Sequence, residues 1–149
     1  MVKGQIVSIN VSPKKGTKKT PVSEAKITSL GIEEDGHRGD WHRQVSLLAE
    51  ESIMKMQGKG LNVKAGDFAE NITTQGIDLL KLPIGTRIRV GESLLEVTQI
   101  GKECDKPCAI YYQAGDCIMP KEGIFAKVIK EGNVRVGDEI QSSCINCQR

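Results

Sequence analysis

Apolar residues in this chain come in short runs, each closed by glycine, proline, aspartate or asparagine, and only one stretch has the spacing and length of a multi-turn helix. A chain punctuated this way folds into many short strands. Val2 to Val11 alternates around Ile6, Ser8 and Asn10 as a strand does, and strands are predicted near Ala25–Leu30, Val45–Leu48, Phe68–Thr73, Arg87–Val90, Leu94–Ile100, Ile124–Ile129 and Glu139–Gln141. The helix is predicted over Ala49–Gly58, with Glu50 and Glu51 in its first turn, Ile53, Met54 and Met56 inside and glycine at its end. A shorter helix is predicted from Cys108 to Ala114. Gly66-Asp67, Gly91-Glu92 and Gly137-Asp138 are the tight corners such a strand-rich chain needs. The pattern implies a mainly β protein with few helices, a barrel or a sandwich, and one domain over residues 1–149.

Five aromatic residues leave Val, Ile and Leu to fill the interior, and a net charge of +2 is too mild to predict nucleic acid as a partner. No apolar run reaches the length of a membrane span and the N-terminus lacks a signal-peptide core, so no membrane partner and a cytoplasmic location are expected. Five cysteines without an export signal read as reduced thiols. Between Pro13 and Pro21 runs a basic loop whose four lysines either stay solvated or meet a phosphate.

Chemistry concentrates in two places. Cys104 lies between Lys102 and Lys106, and positive charge beside a thiol favours the thiolate, the form that attacks electrophiles, carries sulfur and binds soft metals. Cys108 and Cys117 follow, placed to resolve a persulfide, to share a metal or simply to pack. The two histidines, His37 and His42, sit five residues apart among Asp35, Arg38, Asp40 and Arg43. Arginine forks match an anionic group with paired hydrogen bonds, and histidine moves protons near neutral pH. The alternative is that Asp35 and Asp40 tie backbone amides in turns while His42 packs under Trp41.

In Phe68–Thr73 a regular strand sends Phe68, Glu70 and Ile72 to one side and Asn71 and Thr73 to the other. Glu70 then needs Arg43 or a lysine, or a bulge; Asn71 either lines a pocket or closes backbone hydrogen bonds. Cys144 and Cys147 have the spacing of a redox pair or of half a zinc site, whose other half Cys104 and Cys108 would supply.

Four blocks in order, Asp35-Gly-His-Arg-Gly-Asp-Trp-His-Arg43, Gly66-Asp-Phe-Ala-Glu-Asn-Ile-Thr73, Leu95 to Cys104, and Gly123-Ile-Phe-Ala-Lys-Val128, resemble the MOSC domain, named for the C-terminal part of molybdenum cofactor sulfurases. The resemblance spans about residues 24–140 and leaves 141–149 as a tail; Glu34 stands where the family's first block has glycine, with Gly36 nearby. It implies a mostly antiparallel closed β-barrel and a role with the molybdenum cofactor. Cys104 would carry sulfur as a persulfide or ligate molybdenum, while Asp35, His37, Asp40, His42, Arg43, Asn71, Lys102, Cys108 and Cys117 would frame the molybdopterin. Sulfur would come from a partner cysteine desulfurase, which holds the pyridoxal phosphate, and go to molybdenum enzymes or their cofactor-biosynthesis machinery. The other function class left open is a binding module or adaptor, zinc-stabilised, with no chemistry of its own.

Overall fold

The computed structural model describes residues 3–12, 19–33, 35, 36, 38–60, 62–68, 70–101 and 123–142. In chain order the elements are β1 (Lys3–Val11), β2 (Thr20–Val22), β3 (Glu24–Thr28), β4 (Gly31–Ile32), β5 (Val45–Ala49), α1 (Glu50–Gly58), β6 (Ile72–Gln75), a single 3-10 turn (Leu79–Lys81), β7 (Arg87–Val90), β8 (Ser93–Ile100), β9 (Ile124–Lys130), β10 (Gly132–Arg135) and β11 (Glu139–Ser142).

Seven strands close into a barrel in the order β11-β7-β8-β9-β5-β6-β1, and the ring is completed by antiparallel pairing of Lys3–Gln5 on β1 with Glu139–Gln141 on β11. Closure removes the free edges that an open sheet of this size would expose. Every neighbour pair in the ring is antiparallel except β5 and β6, which run parallel because α1 and the loop after it carry the chain back. β2 extends the far half of β1, and β10-β3-β4 form a second small sheet.

Alternation decides which side chains fill the barrel. On β5, Val45 and Leu47 enter the main core with Ile6, Ile72, Ile88, Leu95, Val97 and Ile140, all within 1% of complete burial. Leu48 points the other way, into a second cluster with Ile53 and Met56 of α1, Val63, Phe68 and Phe125. Thus α1 covers the outer wall at β5 and β6, and each large aliphatic chain so buried contributes about 1.5–3 kcal/mol.

The structure departs from the sequence expectations in a few places. The strand predicted at Phe68–Thr73 starts only at Ile72, because residues 65–68 form a turn. Strand β3 ends at Thr28, where the chain turns into β4 through Gly31 and leaves Leu30 exposed. Within α1, Ile53 and Met56 are buried as expected but Met54 is 57% exposed, and the left-handed glycine that ends the helix is Gly60, not Gly58. Gly66, Gly91 and Gly137 all adopt the left-handed backbone of corners, as predicted. The short helix predicted at Cys108–Ala114 lies outside the described residues.

Candidate functional site

Two clusters form around the predicted site residues, one buried and one open. In the buried one, Asp35 is fully enclosed and its Oδ1 takes the Lys19 ammonium at 2.6 Å and the Ser12 backbone N–H at 3.1 Å. Burial pushes the Asp35 carboxyl up, but the bonds from Lys19, Asn71 and the Ser12 amide, together with the Lys19 charge, outweigh it and hold the carboxyl below its ordinary range. Lys19 is therefore neither solvated nor offered to a phosphate, while the other three lysines of the basic loop lie outside the described residues.

Asn71 joins three elements. Its side-chain oxygen accepts from the backbone N–H and the hydroxyl of Ser46 on β5, and its amide nitrogen donates to the Asn10 carbonyl on β1. Next to it, Glu70 is fully buried, and one carboxyl oxygen accepts from the Gly66 N–H at 2.9 Å and the Thr73 hydroxyl at 2.7 Å. No cation among the described residues answers Glu70; the strand begins only after it, at Ile72, and the turn at Gly66 together with Thr73 supplies neutral donors. Burial dominates over those bonds and raises its carboxyl above the ordinary value.

The open cluster lies where β5 begins and β8 ends. The Arg43 guanidinium carbon lies 4.7 Å from the centre of the Trp41 ring and 5.5 Å from that of Phe125, so the cation is held between two aromatic rings. Its Nε is buried and has no hydrogen-bond partner among the described residues. His42 is exposed, with its ring edge toward Trp41 at 6.1 Å and its Nε2 2.8 Å from Gln99 Oε1. Thr98 on β8 donates its hydroxyl to the His42 carbonyl. The Gly101 N–H, just beyond β8, donates to the Gly123 carbonyl, just before β9, at 2.6 Å. That bond draws together both ends of the segment that carries the three central cysteines.

The structure therefore brings Asp35 to Asn71 and places His42 beside Arg43, while Asp40 is exposed. His37, Lys102, Cys104, Cys108, Cys117, Cys144, Cys147 and Glu34 lie outside the described residues. Gln99 and Phe125 have no assigned role in the sequence, Lys19 reads only as one lysine of the basic loop, and Trp41 only as cover for His42. Trp41, Gln99 and Phe125 carry a signal, as members of the Asp35–Arg43, Leu95–Cys104 and Gly123–Val128 blocks.

The family model for the MOSC domain matches residues 34–141. Among solved structures, the YuaD protein from Bacillus subtilis superposes with a TM-score of 0.78 at 19% identity, covering 93% of this chain and 94% of that one. YiiM from Geobacillus stearothermophilus gives 0.68 at 25% identity, with 93% and 74% covered, and YiiM from Escherichia coli gives 0.69 at 22%, with 95% and 70% covered. No curated protein matches the sequence. Among the described residues no helix is long and apolar enough to cross a membrane.

Proposed function

The chain belongs to the MOSC domain family, and from that premise we propose that it binds molybdopterin or the molybdenum cofactor and carries sulfur on Cys104 as a persulfide. The observation that carries this is the Gly101–Gly123 bond. It fixes the neck of the cysteine-bearing segment beside His42 and Arg43, and three residues of chain beyond Gly101 reach at most about 11 Å.

The Arg43 site fits an anionic cofactor on its own chemistry. An arginine stacked between two rings, with a buried donor left over, is an immobilised fork for a phosphate or a pterin edge. Bound there, the cofactor would supply the metal and dithiolene that receive or display the sulfur. Asp35 and Asn71 serve this site from beneath, by fixing the turn that leads into Trp41–Arg43 against β1, β5 and β6.

Sulfur arrives by exchange that needs no outside oxidant. The Cys104 thiolate attacks the outer sulfur of a persulfide on a pyridoxal-phosphate cysteine desulfurase; one S–S bond forms as the other breaks, and the desulfurase thiolate leaves. Lys102 and Lys106 favour the attacking thiolate. Molybdenum enzymes or their cofactor-synthesis partners are the acceptors, and the reaction suits a cytoplasmic, reducing compartment.

Incubation with such a desulfurase and cysteine is expected to add the mass of one sulfur at Cys104, and isolated cofactor is expected to bind saturably and more weakly to Arg43→Ala. A label that persists in Cys104→Ala would overturn the carrier; absence of cofactor binding at any concentration would overturn the pocket.

A further inference from the structure

Gln44, the residue between Arg43 and the start of β5, is buried. Its amide nitrogen donates to the Gly39 carbonyl at 2.7 Å and to the Ser29 carbonyl at 3.0 Å, and its Oε1 accepts the Val128 N–H of β9 at 2.7 Å. Carbonyls only accept and a backbone N–H only donates, so the amide has one orientation here, with both N–H donors and its oxygen engaged.

These bonds join the two walls of the Arg43 site. Main-chain pairing of β5 with β9 ends at Val45 and Ala126, and Val128, further along β9, bonds to the Gln44 side chain instead. On the other side, Gly39 lies against the Trp41 indole: a Cβ there would stand 3.6 Å from the ring, and the Gly39 carbonyl also accepts the Trp41 N–H at 3.1 Å. One amide therefore holds the loop that carries Trp41 to the strand that carries Phe125, and the Arg43 guanidinium stands between those two rings. Arginine has many rotamers, and a cradle that selects one before a ligand arrives removes that ordering cost from binding.

We propose that Gln44 is a positioning residue: its amide clamps the Trp41 loop to β9, fixes the separation of the two rings and so keeps Arg43 stacked and ready for an anion. That the anion is the molybdenum cofactor rests on the function proposed above; the clamp does not. Ser29 is exposed and Gly39 and Val128 are half-buried, so water can reach the backbone groups that a Gln44 variant would release. Loss of the amide then loosens the loop while the barrel stays folded.

Trp41 is the single tryptophan of the chain, so its emission reads the clamp directly. Arg43→Ala, which takes the cation off the indole, sets the reference change. Gln44→Leu is expected to shift the emission in the same direction and to raise acrylamide quenching severalfold; a folded Gln44→Leu with wild-type emission and quenching would overturn the clamp. Gln44→Glu, at a pH where the new carboxyl is ionised, keeps an acceptor for Val128 but sets an oxygen against the Ser29 and Gly39 carbonyls. Exchange of the Val128 amide should therefore stay slow in Gln44→Glu and accelerate in Gln44→Leu, while Trp41 emission shifts in both. Should the leucine variant not fold, wild-type emission in Gln44→Glu would overturn the clamp. Saturable binding of isolated molybdenum cofactor should weaken in Gln44→Leu, and the double variant with Arg43→Ala should bind no more weakly than Arg43→Ala alone. Shifted emission with undiminished cofactor binding would remove Arg43 as the cofactor's anchor while the clamp stands.

Discussion

Asp35 and Glu70 are both fully enclosed carboxyls, and their partners push them in opposite directions. Asp35 has a cation and two further donors, enough to overcome burial, whereas Glu70 has only neutral donors, backbone amides and the Thr73 hydroxyl, which are not. A carboxyl whose pKa is raised by folding costs stability once it ionises. The Glu70 contribution is therefore intact below its unfolded value and declines as pH rises toward its folded value. Urea unfolding of Glu70→Gln, which keeps an acceptor for Gly66 and Thr73, should show no such decline across that window and should exceed wild type above it; parallel curves for the two proteins would refute this. Asp35 acts in a separate, lower window, where stability is lost as pH falls through its depressed value. Little of this was legible from sequence. Lys19 looked like its neighbours in a lysine-rich loop, and its burial depends on Asp35, which the chain delivers only through the fold.

Elements read more easily than side chains when they have one wet face. Strand β7 alternates exposed Arg87 and Arg89 with buried Ile88 and Val90, and it was predicted to the residue. Strands β2, β4 and β10 were not, since they are short and contain proline or glycine, and β10 is in addition held by β3, a partner far away in sequence. Pro21 is tolerated because β2 is an edge strand. Two turns can be compared directly. Gly60 closes α1 at φ +89° with open space where a Cβ would go, so Gly60→Ala pays only the left-handed backbone cost, about 1–2 kcal/mol. At Gly66, φ is +91° and a Cβ would stand 2.3 Å from the Lys19 carbonyl oxygen, a backbone atom that cannot swing aside. Gly66→Ala must therefore displace Lys19 or the turn, disturbing both the Asp35 pair and the N–H held by Glu70. Thermal unfolding should show Gly66→Ala losing clearly more than Gly60→Ala; equal losses would mean the turn relaxes freely.

At the scale of the molecule, the barrel was legible as a class from its many short strands, and its closure came with the family resemblance rather than from any local pattern. The closing seam joins the two ends of the described chain, Lys3–Gln5 to Glu139–Gln141, and Ile140 at its centre is fully buried between Gly4 on β1 and Val90 on β7. A ring has no terminal strand from which to fray, so loss of packing at the seam should be felt all round it. Ile140→Ala is expected to cost about 2–5 kcal/mol in urea unfolding, the range for deleting a large aliphatic side chain from a packed core. Amide exchange separates cooperative from local opening. If the barrel opens as one unit, β8 amides, which are not bonded to the seam strands β1 and β11, should gain the same exchange free-energy deficit as those of β1 and β11. Acceleration confined to β1 and β11 would mean that the seam opens by itself. The end of β8 that holds His42 would then be insulated from the closure instead of depending on it.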